Sequence, residues 1–172
     1  PLSRRMGPYE RWAPAARTLV ETLSRVHHAG VIHRDLKPGN ILLDAEQRPV
    51  ITDFGLAQGQ AVERSGGTHE GTPRYMPPEQ WAGLPCDERS DLYALGAVLW
   101  ELLVGERFPP AGEGRERVLR GRGPKALRRI VLQMVHPRRT ERPESTAPVL
   151  QALGGGDVVL GADFDTIDFG WD

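Results

Sequence analysis

Residues 92–104 read Leu-Tyr-Ala-Leu-Gly-Ala-Val-Leu-Trp-Glu-Leu-Leu-Val, apolar on nearly every side of a helix, and stop at Gly105. A helix with no polar face has to be covered all round, so the remaining elements must be packed about it. It is too short to cross a bilayer, which takes about eighteen or more apolar residues. Ser90 is suited to capping its start, and Gly105 supplies the left-handed stop. At 172 residues the chain can bury most of its apolar surface in one domain, and two independent cores are not expected.

Periodicity and punctuation place the other elements. Residues 14–29 set Ala16, Leu19, Val20, Leu23 and Val26 at helical spacing, with Pro14 suited to a first turn and Gly30 to the terminating position. Two short apolar runs, Ile41–Leu43 and Val50–Thr52, are separated by Asp44–Pro49 and predict a small β-hairpin. Residues 53–80 carry no sustained period, and loops of that length in compact domains are functional or disordered. Residues 106–124, rich in Gly and Arg, are ambiguous; Ala126–Val135 and Thr146–Leu153 predict two further helices. The expected fold class is mainly α with a small β-hairpin, one partial domain over 1–153, and an acidic tail over 154–172 that reads as a flexible linker.

Composition excludes several functions. A net charge of −1 offers no electrostatic case for nucleic acid. Residues 104–142 hold eleven of the twenty-two basic side chains and the tail holds five Asp with no base, a distribution read first as a solvated helical face. Cys86, the single cysteine, has no partner for a disulfide and no neighbours at zinc-ligand spacing. No membrane segment and no signal peptide are found, so the expected location is cytoplasmic; a chain that starts at Pro1 is expected to begin upstream. Twenty of the basic residues are Arg, yet Lys37 and the only Asn of the chain, Asn40, fall in one short segment. A sequence that otherwise avoids these residue types uses both there.

That segment is His33-Arg34-Asp35-Leu36-Lys37-Pro38-Gly39-Asn40, between the first helix and the hairpin, and Asp53-Phe54-Gly55 follows the hairpin. Neighbouring loops thus carry two carboxylates, an ammonium group and an amide. Phosphoryl transfer asks for an acceptor oxygen held in line and for neutralised phosphate charge, with little covalent chemistry from the protein. Mg²⁺ takes one or two carboxylates beside phosphate oxygens and water, so Asp53 with the Asn40 amide oxygen is a sensible pair. Asp35 is then left to accept a hydroxyl proton.

The two segments resemble the catalytic and metal loops of protein kinases, in that order and at a usual separation. The resemblance continues in Gly71-Thr72-Pro73-Arg74-Tyr75-Met76-Pro77-Pro78-Glu79, similar to the end of an activation segment, in Ser90-Asp91-Leu92-Tyr93-Ala94-Leu95-Gly96, and in Arg142-Pro143. It covers about 150 residues and implies a protein-kinase-like C-terminal lobe whose N-terminal β-lobe is missing. It implies Asp35 as catalytic base, Lys37 on the γ-phosphoryl group, Asn40 and Asp53 as metal ligands, and Leu42 beneath the adenine. His33 and Phe54 would stack to align the loops, Asp91 would hold the catalytic-loop backbone, and Glu79 and Arg142 would form a buried ion pair. Arg34 would pair with a phosphorylated activation loop at Thr68, and Thr72 would line the substrate pocket. The implied cofactors are ATP and Mg²⁺, with Mn²⁺ as a substitute.

Lys37 and Thr72 go, in the family, with Ser or Thr acceptors on protein substrates, and the composition suits a bacterial member. The Gly-rich loop, strand lysine and partner glutamate that cover ATP are not found, so the missing lobe is an expected partner and this chain alone is expected to be inactive. A second Asp-Phe-Gly, Asp168–Gly170, has neither hairpin before it nor activation segment after it. Two alternatives stay open: a non-catalytic pseudokinase-like interaction module, and a small-molecule kinase with the same loops.

Overall fold

The computed structural model describes residues 9–54, 74–109, 119 and 121–154. Helices α1 (Tyr9–His28), α2 (Pro78–Trp81), α3 (Glu88–Val104), α4 (Lys125–Met134) and α5 (Ala147–Leu153) occur there with two antiparallel strands, β1 (Ile41–Leu43) and β2 (Pro49–Ile51). Single 3₁₀ turns at Pro38–Asn40 and Arg139–Glu141 sit in connections. Mainly helical with one small hairpin, this agrees with the expected class. The tail after Gly154, Thr68, Thr72 and the ambiguous stretch around 110–118 lie outside the described residues.

Helix α3 occupies the centre, with every residue from Ser90 to Val104 buried. Helices α1 and α4 pack against it, and α5 bridges α1 and α4. Gly96 is what lets α4 approach: a Cβ there would lie 2.6 Å from Met134 Cβ and 3.0 Å from Val135 Cγ1. Burying a Leu is worth about 1.5–3 kcal/mol, and Leu92, Leu95 and Leu99 are all fully buried.

The ends of the helices depart from expectation in instructive ways. Asp87, not Ser90, caps α3: its carboxylate accepts from Arg89 N at 2.9 Å, and Ser90 Oγ accepts from Asp87 N at 3.2 Å in a reciprocal capping box. Pro14 is inside α1 and not in its first turn, because Tyr9 and Trp12 extend the helix by an N-terminal turn. Their rings meet edge-on at 5.1 Å with Trp12 buried, and that apolar contact fastens the added turn to the core. At the other end, Gly30 (φ +72) donates to His27 O and Val31 N to Val26 O, the paired bonds of a Schellman stop.

In the hairpin, Ile41 pairs with Ile51 and both face the core, while Leu42 pairs with Val50 on the opposite face. Leu42 is 56% and Val50 42% exposed. The second strand starts at Pro49, one residue earlier than expected, because Pro49 pairs with Leu43.

Candidate active site

The chain leaving α1 enters a polar loop that must place its backbone without help from regular structure. Asp91, in the first turn of α3, supplies that help: Oδ2 accepts from His33 N and Oδ1 from Arg34 N, each at 2.8 Å. Successive backbone N–H groups converging on one anion form a nest, and the partial positive charge at the start of α3 further favours the carboxylate. Arg34 is held at φ +68 and Asp53 at φ +60. Such conformations cost non-glycine residues of order 1–3 kcal/mol and persist only where the surroundings enforce them. Asp91 does so at Arg34.

His33, fully buried, ties the two loops together. Its Nδ1 accepts from Asp35 N at 3.2 Å, so the ring proton sits on Nε2 and is donated to Thr52 O at 2.8 Å. Its ring also meets Phe54 edge-on at 4.9 Å, the contact expected of that pair, although Phe54 is itself exposed. Asp35 is exposed and accepts on Oδ2 from both Lys37 Nζ (2.8 Å) and Asn40 Nδ2 (3.1 Å). Asn40 Nδ2 also donates to Asp35 O at 2.7 Å. Both Asn40 contacts use the amide nitrogen and leave its oxygen, the atom a hard cation requires. Asp53 is joined to this group through one backbone bond, Thr52 N to Asn40 O at 2.9 Å, and its own carboxylate accepts from Thr52 Oγ1 at 3.3 Å. Among the described residues no three His, Cys, Asp or Glu side chains form a metal cage. One carboxylate plus one amide oxygen fits a cation whose shell is completed by phosphate and water.

Glu79 and Arg142 meet as expected, bidentate at 2.6 and 2.8 Å and both buried. Burial alone would push the Glu79 carboxyl up, but the hydrogen bonds from Arg142 and Ser90 outweigh it and hold it below its ordinary value. Arg142 spends its other donors on Arg89 O, His136 O and Pro137 O, and its guanidinium lies 4.9 Å over the Tyr93 ring. Leu42 is on the exposed face of the hairpin, beside the loops.

Sequence reasoning missed three participants. Gln80 Nε2 donates to Arg34 O at 2.8 Å, linking α2 to the loop. Glu101, the one carboxylate in the apolar run, accepts from Tyr75 OH at 2.8 Å and Phe108 N at 2.6 Å, while Arg74 donates to Phe108 O. Burial raises its carboxyl, with those bonds acting in the opposite direction. His27 Nε2 lies 2.9 Å from Asp91 Oδ2. The signals were a lone acid inside an apolar helix and a histidine four residues after Leu23 on a buried stripe.

The protein kinase domain matches residues 6–153. The chain belongs to the protein kinase family. It is 41% identical over 179 residues to the DNA damage-responsive serine/threonine-protein kinase RqkA of Deinococcus radiodurans, covering 92% of this chain and 26% of that protein. To the serine/threonine-protein kinase Pkn3 of Myxococcus xanthus it is 44% identical over 98 residues, 51% of this chain and 18% of that one. PkaA of Streptomyces coelicolor, also a serine/threonine-protein kinase, is 41% identical over 118 residues, 64% of this chain and 21% of its own length. The chain thus spans about a quarter or less of these relatives. Among the described residues of this kinase chain no helix is long and apolar enough to cross a membrane.

Proposed function

We propose that this chain is the C-terminal lobe, over residues 1–153, of a cytoplasmic Ser/Thr protein kinase that moves the γ-phosphoryl group of ATP to protein hydroxyls. The observation that carries the reading is the cluster of Asp35, Lys37 and Asn40 on a loop whose strained backbone is clamped by Asp91. Asp35 Oδ2 is engaged by Lys37 and Asn40, which leaves Oδ1 to take the proton of a Ser or Thr hydroxyl. As the deprotonated hydroxyl oxygen of the Ser or Thr bonds to the γ-phosphorus, the bond to the bridging oxygen breaks, ADP departs, and Lys37 stabilises charge on the transferring oxygens. A Mg²⁺ held by Asn40 and Asp53 would neutralise phosphate charge in this class of reaction.

The acceptor class follows from the family pattern at Lys37 and Thr72 and from the relatives' names. Arg34 Nε is buried without a hydrogen-bond partner among the described residues, which suits a guanidinium awaiting an anion such as a phosphate on Thr68. Leu42 serves as the floor of the adenine site. The nucleotide is covered by a β-rich lobe on the same polypeptide.

The test compares radiolabelled phosphate transfer by this chain, by the polypeptide that joins it to its N-terminal lobe, and by that polypeptide with Asp35→Asn. Transfer to Ser or Thr by the joined polypeptide, lost by about 10²–10⁴-fold in the variant, is expected. Equal transfer by Asp35→Asn would remove Asp35 from its role.

A further inference from the structure

We infer that the basic face of α4 is a docking surface for the acidic segment Asp157–Asp172 of this same chain. The inference goes beyond the phosphoryl-transfer reading and does not depend on it. Between Glu116 and Glu141 the sequence carries eight basic residues and no acid, whereas Asp157–Asp172 carries five Asp and no Lys, Arg or His. Lys125, Arg128 and Arg129, at i, i+3 and i+4, share one side of α4, while Leu127, Ile130, Val131 and Met134 are buried on the other. Arg122 joins them just before the helix; it is exposed, as are Lys125 and Arg129, and Arg128 is half-buried. Arg122 Nη1 donates to Val104 O and Arg128 Nη1 to Gly123 O, each at 2.8 Å. Those acceptors are neutral, and among the described residues none of the four cations is in an ion pair.

This arrangement does not serve the helix. Cations near a helix start oppose the macrodipole, and α4 has neither an acid in its first turn nor a side-chain cap at Pro124. A face built only for solvent gains from carboxylates four residues from cations, as with Arg17 and Glu21 on α1, and α4 has none. Reach selects the occupant. Helix α5 packs against both α1 and α4, so its end delivers the chain beside them. There Gly154 lies against Arg17, where a Cβ would be 3.1 Å from Nη1, and Gly123, two residues before Lys125, lies against Tyr9. Tyr9 and Arg17 are eight residues apart on α1, about 12 Å along its axis. Residues 155–172 are outside the described residues, but an extended chain covers about 3.3 Å per residue, so Asp163 reaches about 30 Å from Gly154. Asp163, Asp165 and Asp168 are thus within range of the cations with no described element displaced. A short tether also keeps these carboxylates at a high local concentration, so pairs that are weak singly act together. Phe164, Phe169 and Trp171, interleaved with the Asp residues, add rings that favour guanidinium planes.

The test uses the whole chain with Cys86→Ser and Ala162→Cys, a nitroxide attached at position 162, and ¹H–¹⁵N NMR. Amides of residues 125–129 should lose signal while the nitroxide is oxidised and recover it on reduction. The loss should fade as salt rises from about 0.1 to about 1 M, over which the screening length falls from about 10 to about 3 Å. It should also fade in the triple variant Asp163→Asn, Asp165→Asn, Asp168→Asn, which alters no described residue and so decides the matter even if changes in α4 disturb folding. Arg128→Glu with Arg129→Glu should abolish the loss, and adding Asp163→Arg, Asp165→Arg and Asp168→Arg to that pair should bring it back. Loss of signal only elsewhere, for example around the exposed Trp81 and Leu84, would overturn the inference, as would no loss at all or a loss indifferent to salt and to the Asn variant. A mixture of ¹⁵N-labelled chain without nitroxide and unlabelled chain carrying it reports docking onto a second copy. Equal loss at 125–129 in that mixture would assign the face to another molecule and overturn docking within one chain.

Discussion

At the scale of single residues, the buried charges show how context sets their worth. Glu79 and Arg142 are 7% and 0% exposed at the side chain, and each satisfies the other while Arg142 also serves three backbone carbonyls. Removing one partner strands a buried charge, so Arg142→Leu should destabilise the chain by about 3–5 kcal/mol in urea unfolding. Adding Glu79→Met removes the stranded carboxylate and should recover part of that loss. Full recovery is not expected, because the carbonyls of Arg89, His136 and Pro137 would still lack their donor. A double variant as stable as wild type would show that those carbonyl contacts contribute nothing.

Elements are placed by how closely they approach, and where α3 meets α4 it is Gly96 that permits the approach. In isolation Gly96→Ala should help a helix, by about 1 kcal/mol. Here the added methyl would sit 2.6 Å from Met134 Cβ, an atom close to the backbone that cannot swing aside. Overpacking of this kind costs about 1–3 kcal/mol. The expected outcome is net destabilisation in urea or thermal melts despite better helix propensity. A stabilised Gly96→Ala would mean that α4 yields freely. Helix α2 is short, yet Glu79 and Gln80 within it reach Arg142 and the Arg34 carbonyl, so it acts as a clamp between the core and the His33–Asn40 loop.

For the whole molecule, two carboxyls pull the pH dependence of stability in opposite directions. Glu79 is held below 4.5 when folded, so its contribution is present above its unfolded value and disappears as pH falls through the lower folded value. Glu101 is raised by burial, so its contribution is complete below 4.5 and declines as pH rises through its folded value. Stability should therefore peak in mildly acidic solution. Glu101→Gln keeps an oxygen for Tyr75 OH and Phe108 N and should flatten the decline on the alkaline side, measured as unfolding free energy against pH; a decline as steep as in wild type would remove Glu101 as its cause. The exposed apolar face of Leu42, Val50 and Phe54 bears on assembly. Produced without a covering lobe, the chain should self-associate with rising concentration in sedimentation experiments, and Leu42→Glu should suppress it. Association unaffected by Leu42→Glu would place the contact elsewhere.

Local pattern alone determined the central helix, the hairpin and the candidate chemistry. An apolar run with no polar face admits one environment, and a lone Asn and a rare Lys beside Asp35 mark a segment chosen for its functional groups. Those are properties of neighbours in the chain. Helix ends were less legible, since Asp87 and Ser90 are both good caps and the choice depends on Ser90 also donating to Glu79 at 2.7 Å. The partners of Asp91, Glu101 and Arg142 were decided only by the tertiary structure. His27 is 64 residues from Asp91 and Glu79 is 63 from Arg142. Family resemblance anticipated the Glu79 pair and the hold of Asp91 on the loop, but not His27 or Tyr75–Glu101. A hydrogen bond depends on distance and direction in space, and periodicity along a chain carries neither across a fold.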